Sequence, residues 1–236
     1  MTRSGESQLS LRHGTNELDT NAYKRRFAPD SSPGWEAIDK HLVARLGRAE
    51  PDFHFGTTQR FALGGQDPLD GISVYIRRDP SHLHYVSYGL SNLYYDEDAA
   101  GGEFSGWGFE LTFRLALESS KMPTKAEAVP LWPMGLMQNL ARYVFNSKKW
   151  FEHGHYIDAK GPIKAGSATD KTAILFLSDP ELPTAETPHG SLDFLQIVGI
   201  DADELSGLQS QTLSVESLID KVTASQSLLI TSLAKD

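Results

Sequence analysis

From Trp107 to Leu117 the chain alternates without a break. Trp107, Phe109, Leu111, Phe113, Leu115 and Leu117 fall on one side, and Gly108, Glu110, Thr112, Arg114 and Ala116 on the other. Successive side chains of an extended strand point to opposite faces, so a period of two held this long is a strong strand signal with one apolar face.

The rest of the chain supplies more strands and a few helices. Residues 72–76 alternate, and in the next segment Leu83, Tyr85 and Ser87 oppose His82, His84, Val86 and Tyr88. Residues 173–177 and 192–200 are short apolar runs suited to buried strands, and Leu228-Leu229-Ile230 reads as a final strand. Ser32 followed by Pro33 predicts a helix start, and Trp35, Ile38, Leu42 and Leu46 keep helical spacing up to Gly47. A second helix is expected after Pro133, where Met137, Leu140, Ala141, Val144 and Phe145 form one stripe. Asp201 is expected to cap a short helix through Leu205, and residues 215–222 suggest one more. Strands and helices mix without regular alternation, which predicts an α+β fold with a mixed, mainly antiparallel sheet. Residues 1–30 are polar and are expected to form a flexible extension, leaving 31–236 as a single domain.

Charge and composition narrow the function classes. The 236 residues carry a net charge of -9. That repels phosphate backbones, so nucleic acid is not an expected partner, while a basic protein would be attracted. The absence of cysteine excludes disulfides, thiolate metal sites and a cysteine nucleophile. Residues 1–30 hold no apolar leader, and the longest apolar runs fall far short of the ~20 residues of a membrane helix, so a cytoplasmic protein away from membranes is expected.

Catalytic signatures are scarce. There is no Gly-x-Ser-x-Gly elbow, no phosphate loop, no dinucleotide fingerprint and no His-Glu-x-x-His. Asp96-Glu97-Asp98 begins like a calcium loop, but Trp107 stands where the closing Glu belongs. Two His-x-His pairs, His82/His84 and His153/His155, could bind a metal if brought together, with Asp158 as a nearby base. A metal-dependent hydrolase is therefore the alternative reading; histidines in a polar network and a loop are the plainer one. Glu110 and Arg114 share a strand face and are expected to form an ion pair. No cofactor and no enzymatic activity are expected. Tyr94, Tyr95 and Phe104 flank a Gly-rich loop, where aromatic side chains suit protein recognition.

Several segments together resemble the Suppressor of Fused family. They are Leu63-Gly64-Gly65-Gln66-Asp67-Pro68-Leu69-Asp70, the run 82–94 that opens His82-Leu83-His84-Tyr85, and the run 105–115 that opens Ser105-Gly106-Trp107-Gly108-Phe109. Trp132-Pro133, residues 138–145 and Phe194-Leu195-Gln196-Ile197-Val198-Gly199 follow in order and in spacing, with the match running from about Gly34 onward. The resemblance implies a protein-binding domain like the N-terminal one of the two-domain animal members. Those clamp an extended peptide of a Gli-type transcription factor by β-augmentation. It further implies that Tyr94 lines a peptide groove and that Leu229-Ile230-Thr231 is an edge strand near the domain junction. The acid with which the animal proteins hold a peptide histidine falls near Gly101 or Gly102 here, where there is none. Single-domain bacterial members have been proposed as immunity proteins that neutralise toxins, so the partner expected here is a protein or extended peptide, including a basic toxin.

Overall fold

The long alternating segment is a central strand, buried on both faces. The computed structural model describes residues 20–234. In chain order these form α1 (Thr20–Arg26), α2 (Pro33–Leu46), β1 (Phe53–Gly56), β2 (Gly71–Arg78), β3 (Ser81–Tyr88), β4 (Phe104–Ala116), α3 (Trp132–Ser147), β5 (Tyr156–Asp158), β6 (Lys171–Ser178), β7 (Ala185–Thr187), β8 (Gly190–Asp201), α4 (Ala202–Gln209) and α5 (Val215–Ser225). One eight-stranded sheet runs β1-β2-β3-β4-β8-β6-β5, with β7 pairing β8 outside that order. Every pairing of these strands is antiparallel except β4 with β8, which run parallel. This is the mixed, mainly antiparallel α+β fold expected.

Side-chain alternation sorts the core into layers. Phe109, Leu111, Phe113 and Leu115 of β4 join Ile174, Phe176, Leu195 and Ile197 against Met134, Met137, Leu140, Ala141 and Val144 of α3. On the opposite face Val86, Tyr88, Leu192 and Phe194 pack under Ile38 and Leu42 of α2. Farther along that same face Leu175, Leu177, Val198 and Ile200 pack with Leu205, Leu208 and Leu218 of α4 and α5. Burying each large aliphatic side chain contributes about 1.5–3 kcal/mol, so these layers dominate the stability.

Between the last two clusters lies a buried polar seam. Arg114, fully buried, reaches Asp179 at 2.9 Å, Glu181 at 2.9 Å and the amide oxygen of Gln196. His84 Nε2 donates to Asp179 at 3.0 Å, and Thr112 Oγ1 donates to the same carboxylate at 2.8 Å. The Gln196 amide donates to the Leu228 and Leu229 carbonyls. Glu110 and Arg114 therefore do not pair as expected. They point the same way along one strand, but each meets partners from other segments first.

Local departures have local causes. Residues 1–19 of the expected extension lie outside the described residues. From Thr20 the chain is helical, because Tyr23 anchors it: its hydroxyl donates to His189 Nε2 at 2.7 Å and accepts the Asp96 N–H at 3.1 Å. Ser32 makes no side-chain cap on α2, although Gly47 ends that helix in the left-handed conformation (φ 69°). Asp201 caps α4 as expected, through a reciprocal capping box with Glu204, and the helix extends to Gln209. The expected strand at Leu228-Leu229-Ile230 does not form. Leu229 has φ 55°, and only Thr231 pairs, in parallel with Leu115.

Candidate functional site

The loop after β3 is shaped by one carboxylate. The β3–β4 ladder pairs residues as far as Val86 with Thr112, after which the Ser87 hydroxyl takes the Leu111 N–H at 2.9 Å. Glu110, fully buried, accepts the Ser87 and Ser91 hydroxyls at 2.5 and 2.7 Å and the N–H groups of Gly89, Leu90 and Ser91 at 2.8–3.1 Å. Burial pushes its carboxyl above the ordinary value, and hydrogen bonds from these donors oppose that shift. A mid-strand Glu at this point is therefore a turn former. It fixes residues 89–91, from which Tyr94 and Tyr95 are hung.

Tyr94 is half-buried on the wall of a cleft of about 270 Å³ lined also by Phe61, Pro68, Asp70, Tyr95, Asp96 and Phe145. Its hydroxyl donates to Asp70 at 2.8 Å, and the Arg60 guanidinium lies 3.9 Å from its ring centre. Burial, and the Asp70 carboxylate it donates to, push the Tyr94 phenol up to about 12, so it stays a donor at physiological pH. Tyr95 donates to Glu97 at 2.8 Å and packs 5.1 Å from Tyr23. Glu97 in turn pairs with Lys24 at 2.5 Å, which ties α1 to this loop. His189 holds the loop from behind, donating through Nδ1 to the Asn92 carbonyl at 2.8 Å and accepting Tyr23 at Nε2. Phe104 opens β4 and is 47% exposed.

Aromatic rings continue from the cleft across the surface. Phe61 meets Phe145 edge-on at 4.9 Å, Phe145 meets Trp107 at 5.6 Å, and the Lys148 ammonium lies 5.7 Å from the Trp107 ring. Phe61 and Leu63 are 37% and 70% exposed. Nothing in the sequence marks Arg60, Phe61, Phe145 and Lys148 as members of this surface. No spacing relates a loop near residue 60 to the end of a helix near 148.

The other candidates from the sequence fall elsewhere. Thr231 donates its N–H to the Arg114 carbonyl at 2.8 Å, and its own carbonyl accepts the Ala116 N–H at 2.9 Å, so both its backbone groups are used. Thr231 and Leu229 are 3% and 5% exposed, and Ile230 between them is half-buried. This segment wedges beside the far end of β4, roughly 26 Å from Phe104 when measured at ~3.3 Å per residue along the paired β8, because β4 is bulged between Phe104 and Phe109. Leu229, Ile230 and Thr231 thus do not share a face with Tyr94, Tyr95 and Phe104. The two histidine pairs are not brought together either. His82 Nδ1 donates to the Pro80 carbonyl at 2.7 Å, and burial lowers its pKa to about 4. Burial and then Arg114 also lower His84 below its ordinary value. His153 accepts the Ser178 N–H at 3.1 Å, and His155 accepts the Glu152 N–H at 3.2 Å. Among the described residues no group of three or more His, Asp or Glu is placed to hold a metal ion. Likewise no described helix is long and apolar enough to cross a membrane.

A family model for Suppressor of fused protein (SUFU) matches residues 65–235. The human and mouse proteins named Suppressor of fused homolog are each 41% identical over 160 residues, 64% of this chain. The chain spans about a third of those relatives, the match covering 32% of their length. Among solved structures, the Sufu-Fu complex aligns with TM-score 0.76 and 32% identity, covering 87% of this chain and 92% of that one. Drosophila Suppressor of Fused aligns with TM-score 0.75 and 33% identity, covering 87% of this chain and 51% of that one. A Neisseria gonorrhoeae homologue shares the fold at TM-score 0.53 and 16% identity, with 86% of this chain and 95% of that one covered.

Proposed function

The chain belongs to the Suppressor of fused family, and from that premise we propose that it holds another polypeptide against the Tyr94 face and transforms no substrate. The observation that carries this is the aromatic cleft. Tyr94, Phe61 and Phe145 leave an apolar hollow open on the surface, with a hydroxyl and a guanidinium at its wall. Aromatic anchors beside polar rims are where protein interfaces concentrate their binding energy. That a relative was solved as a complex with Fu supports a protein as the kind of partner. Tyr95 and Phe104 extend the proposed contact, whereas Leu229, Ile230 and Thr231 act through the fold.

The finer reading is an immunity role in the cytoplasm, in which the protein neutralises a basic toxin by covering its surface. A net charge of -9 and a chain without cysteine support it. The test uses the full chain as bait, in parallel with Tyr94→Ala and Phe104→Ala, followed by reassembly of the complex from purified components. A polypeptide bound by the native chain and released from variants of unchanged melting temperature is the expected result. Equal retention by the variants, or turnover of a small molecule abolished at one histidine, rules the reading out.

A further inference from the structure

Charges around the Tyr94 cleft are not equally available. Asp70 takes the Tyr94 hydroxyl on one oxygen, and its other oxygen is buried without a hydrogen-bond partner. Asp96 accepts the N–H groups of Asp98 and Ala99. Glu97 is paired with Lys24, and Asp67 with Arg142. Each of these four carboxylates on or beside the cleft thus has at least one oxygen engaged by the protein itself. The two cations have no carboxylate partner among the described residues. Arg60 lies over Tyr94 on one side and Lys148 over Trp107 on the other; both are exposed, and neither forms an ion pair with a carboxylate among the described residues. Between them runs the apolar floor of Phe61, Phe145 and Trp107.

Lys148 also occupies an unusual position. It closes α3 in the left-handed conformation, φ 57°, where α2 uses Gly47. Glycine adopts that conformation without strain and a residue with a Cβ does not, so the lysine is held there at a cost that the helix end does not require. Its side chain supplies the positive end of the aromatic row.

We infer that the cleft receives an apolar side chain, aromatic or branched, flanked in its own chain by acidic residues that reach Arg60 and Lys148. This rests on the Tyr94 face being the docking surface and names the chemistry of what docks there. A carboxylate approaching either cation meets a charge already desolvated on its ring side, and the apolar anchor fills the hollow between.

Selection of random peptides displayed on phage against the immobilised full chain tests it. The expected winners carry one large apolar residue between Asp or Glu, and as synthetic peptides bind about tenfold more weakly to the double variant Arg60→Gln, Lys148→Gly. Both substitutions are at exposed positions, and glycine suits the backbone at 148. Winners with basic or uncharged flanks that lose binding on Tyr94→Ala but not in the double variant overturn the charge assignment and leave the docking face standing. Absence of any peptide sensitive to Tyr94→Ala overturns both.

Discussion

Arg114 sits where no solvent reaches, its charge balanced by Asp179 and Glu181. Removing it leaves the buried Asp179 without its guanidinium, while Glu181 keeps Arg77 at 2.8 Å, so Arg114→Met is expected to cost about 3–5 kcal/mol, read from urea unfolding. The same seam sets the response to acid. His82 has its pKa lowered to about 4 by burial. A depressed folded-state pKa gives stability that is complete above the ordinary value near 6.5 and fades as pH falls toward 4. For Asp179, burial would raise the carboxyl, but His84, Arg114 and the Glu181 N–H win and hold it well below the usual range. Its contribution is present above the ordinary carboxylate value and is lost only as pH drops under about 4. The urea midpoint should therefore decline from pH 7 to 4 and more steeply below. His41, His54, His84 and His189 are shifted down as well, so His82→Asn should make the upper slope shallower without abolishing it. The alternation of β4 puts Glu110, Thr112 and Arg114 on one face, which is correct. Proximity along the strand pairs the wrong two, because their true partners come from residues 87–91 and 179–196, and no local pattern encodes that.

Elements with strong patterns are legible in the sequence: β4 and α3 lie where alternation and a helical stripe put them, and β6 and β8 where short apolar runs do. Short or polar elements are not. The helix α1 has no apolar stripe and exists through Tyr23, so Tyr23→Phe should loosen it by about 1 kcal/mol and speed amide exchange in residues 20–26. β1 and β5, of 4 and 3 residues, are too short to show a period. The run 228–230 has strand composition but forms a wedge, fitted to a gap at Gly199. A methyl on Gly199 would come within 2.9 Å of Thr231 Cγ2 and 3.0 Å of Ile163 Cδ1. Gly199→Ala should thus destabilise by about 1–3 kcal/mol. Adding Thr231→Ser, which keeps the hydroxyl that accepts the Gly199 N–H, should recover part of the loss in a double-mutant cycle. Half of the candidate site is legible: Tyr94, Tyr95 and Phe104 stand out beside a glycine loop, while Arg60, Phe61 and Lys148 join them only through tertiary packing.

Across the whole molecule, two electrostatic ranges coexist. The net charge of -9 acts on an approaching partner at long range and is screened beyond about 8 Å at physiological salt. The cations at the cleft act only after contact, so they select a segment without reversing the overall attraction to a basic body. The parallel junction between β4 and β8 has a kinetic consequence. Residues 53–116 build one antiparallel half from chain neighbours, and residues 156–201 build the other. Each half closes short loops, whereas joining Phe113 to Ile197 closes a far longer one. The halves are therefore expected to gain structure early and the junction late. In stopped-flow experiments, truncating Phe113 or Ile197 should speed unfolding more than it slows refolding.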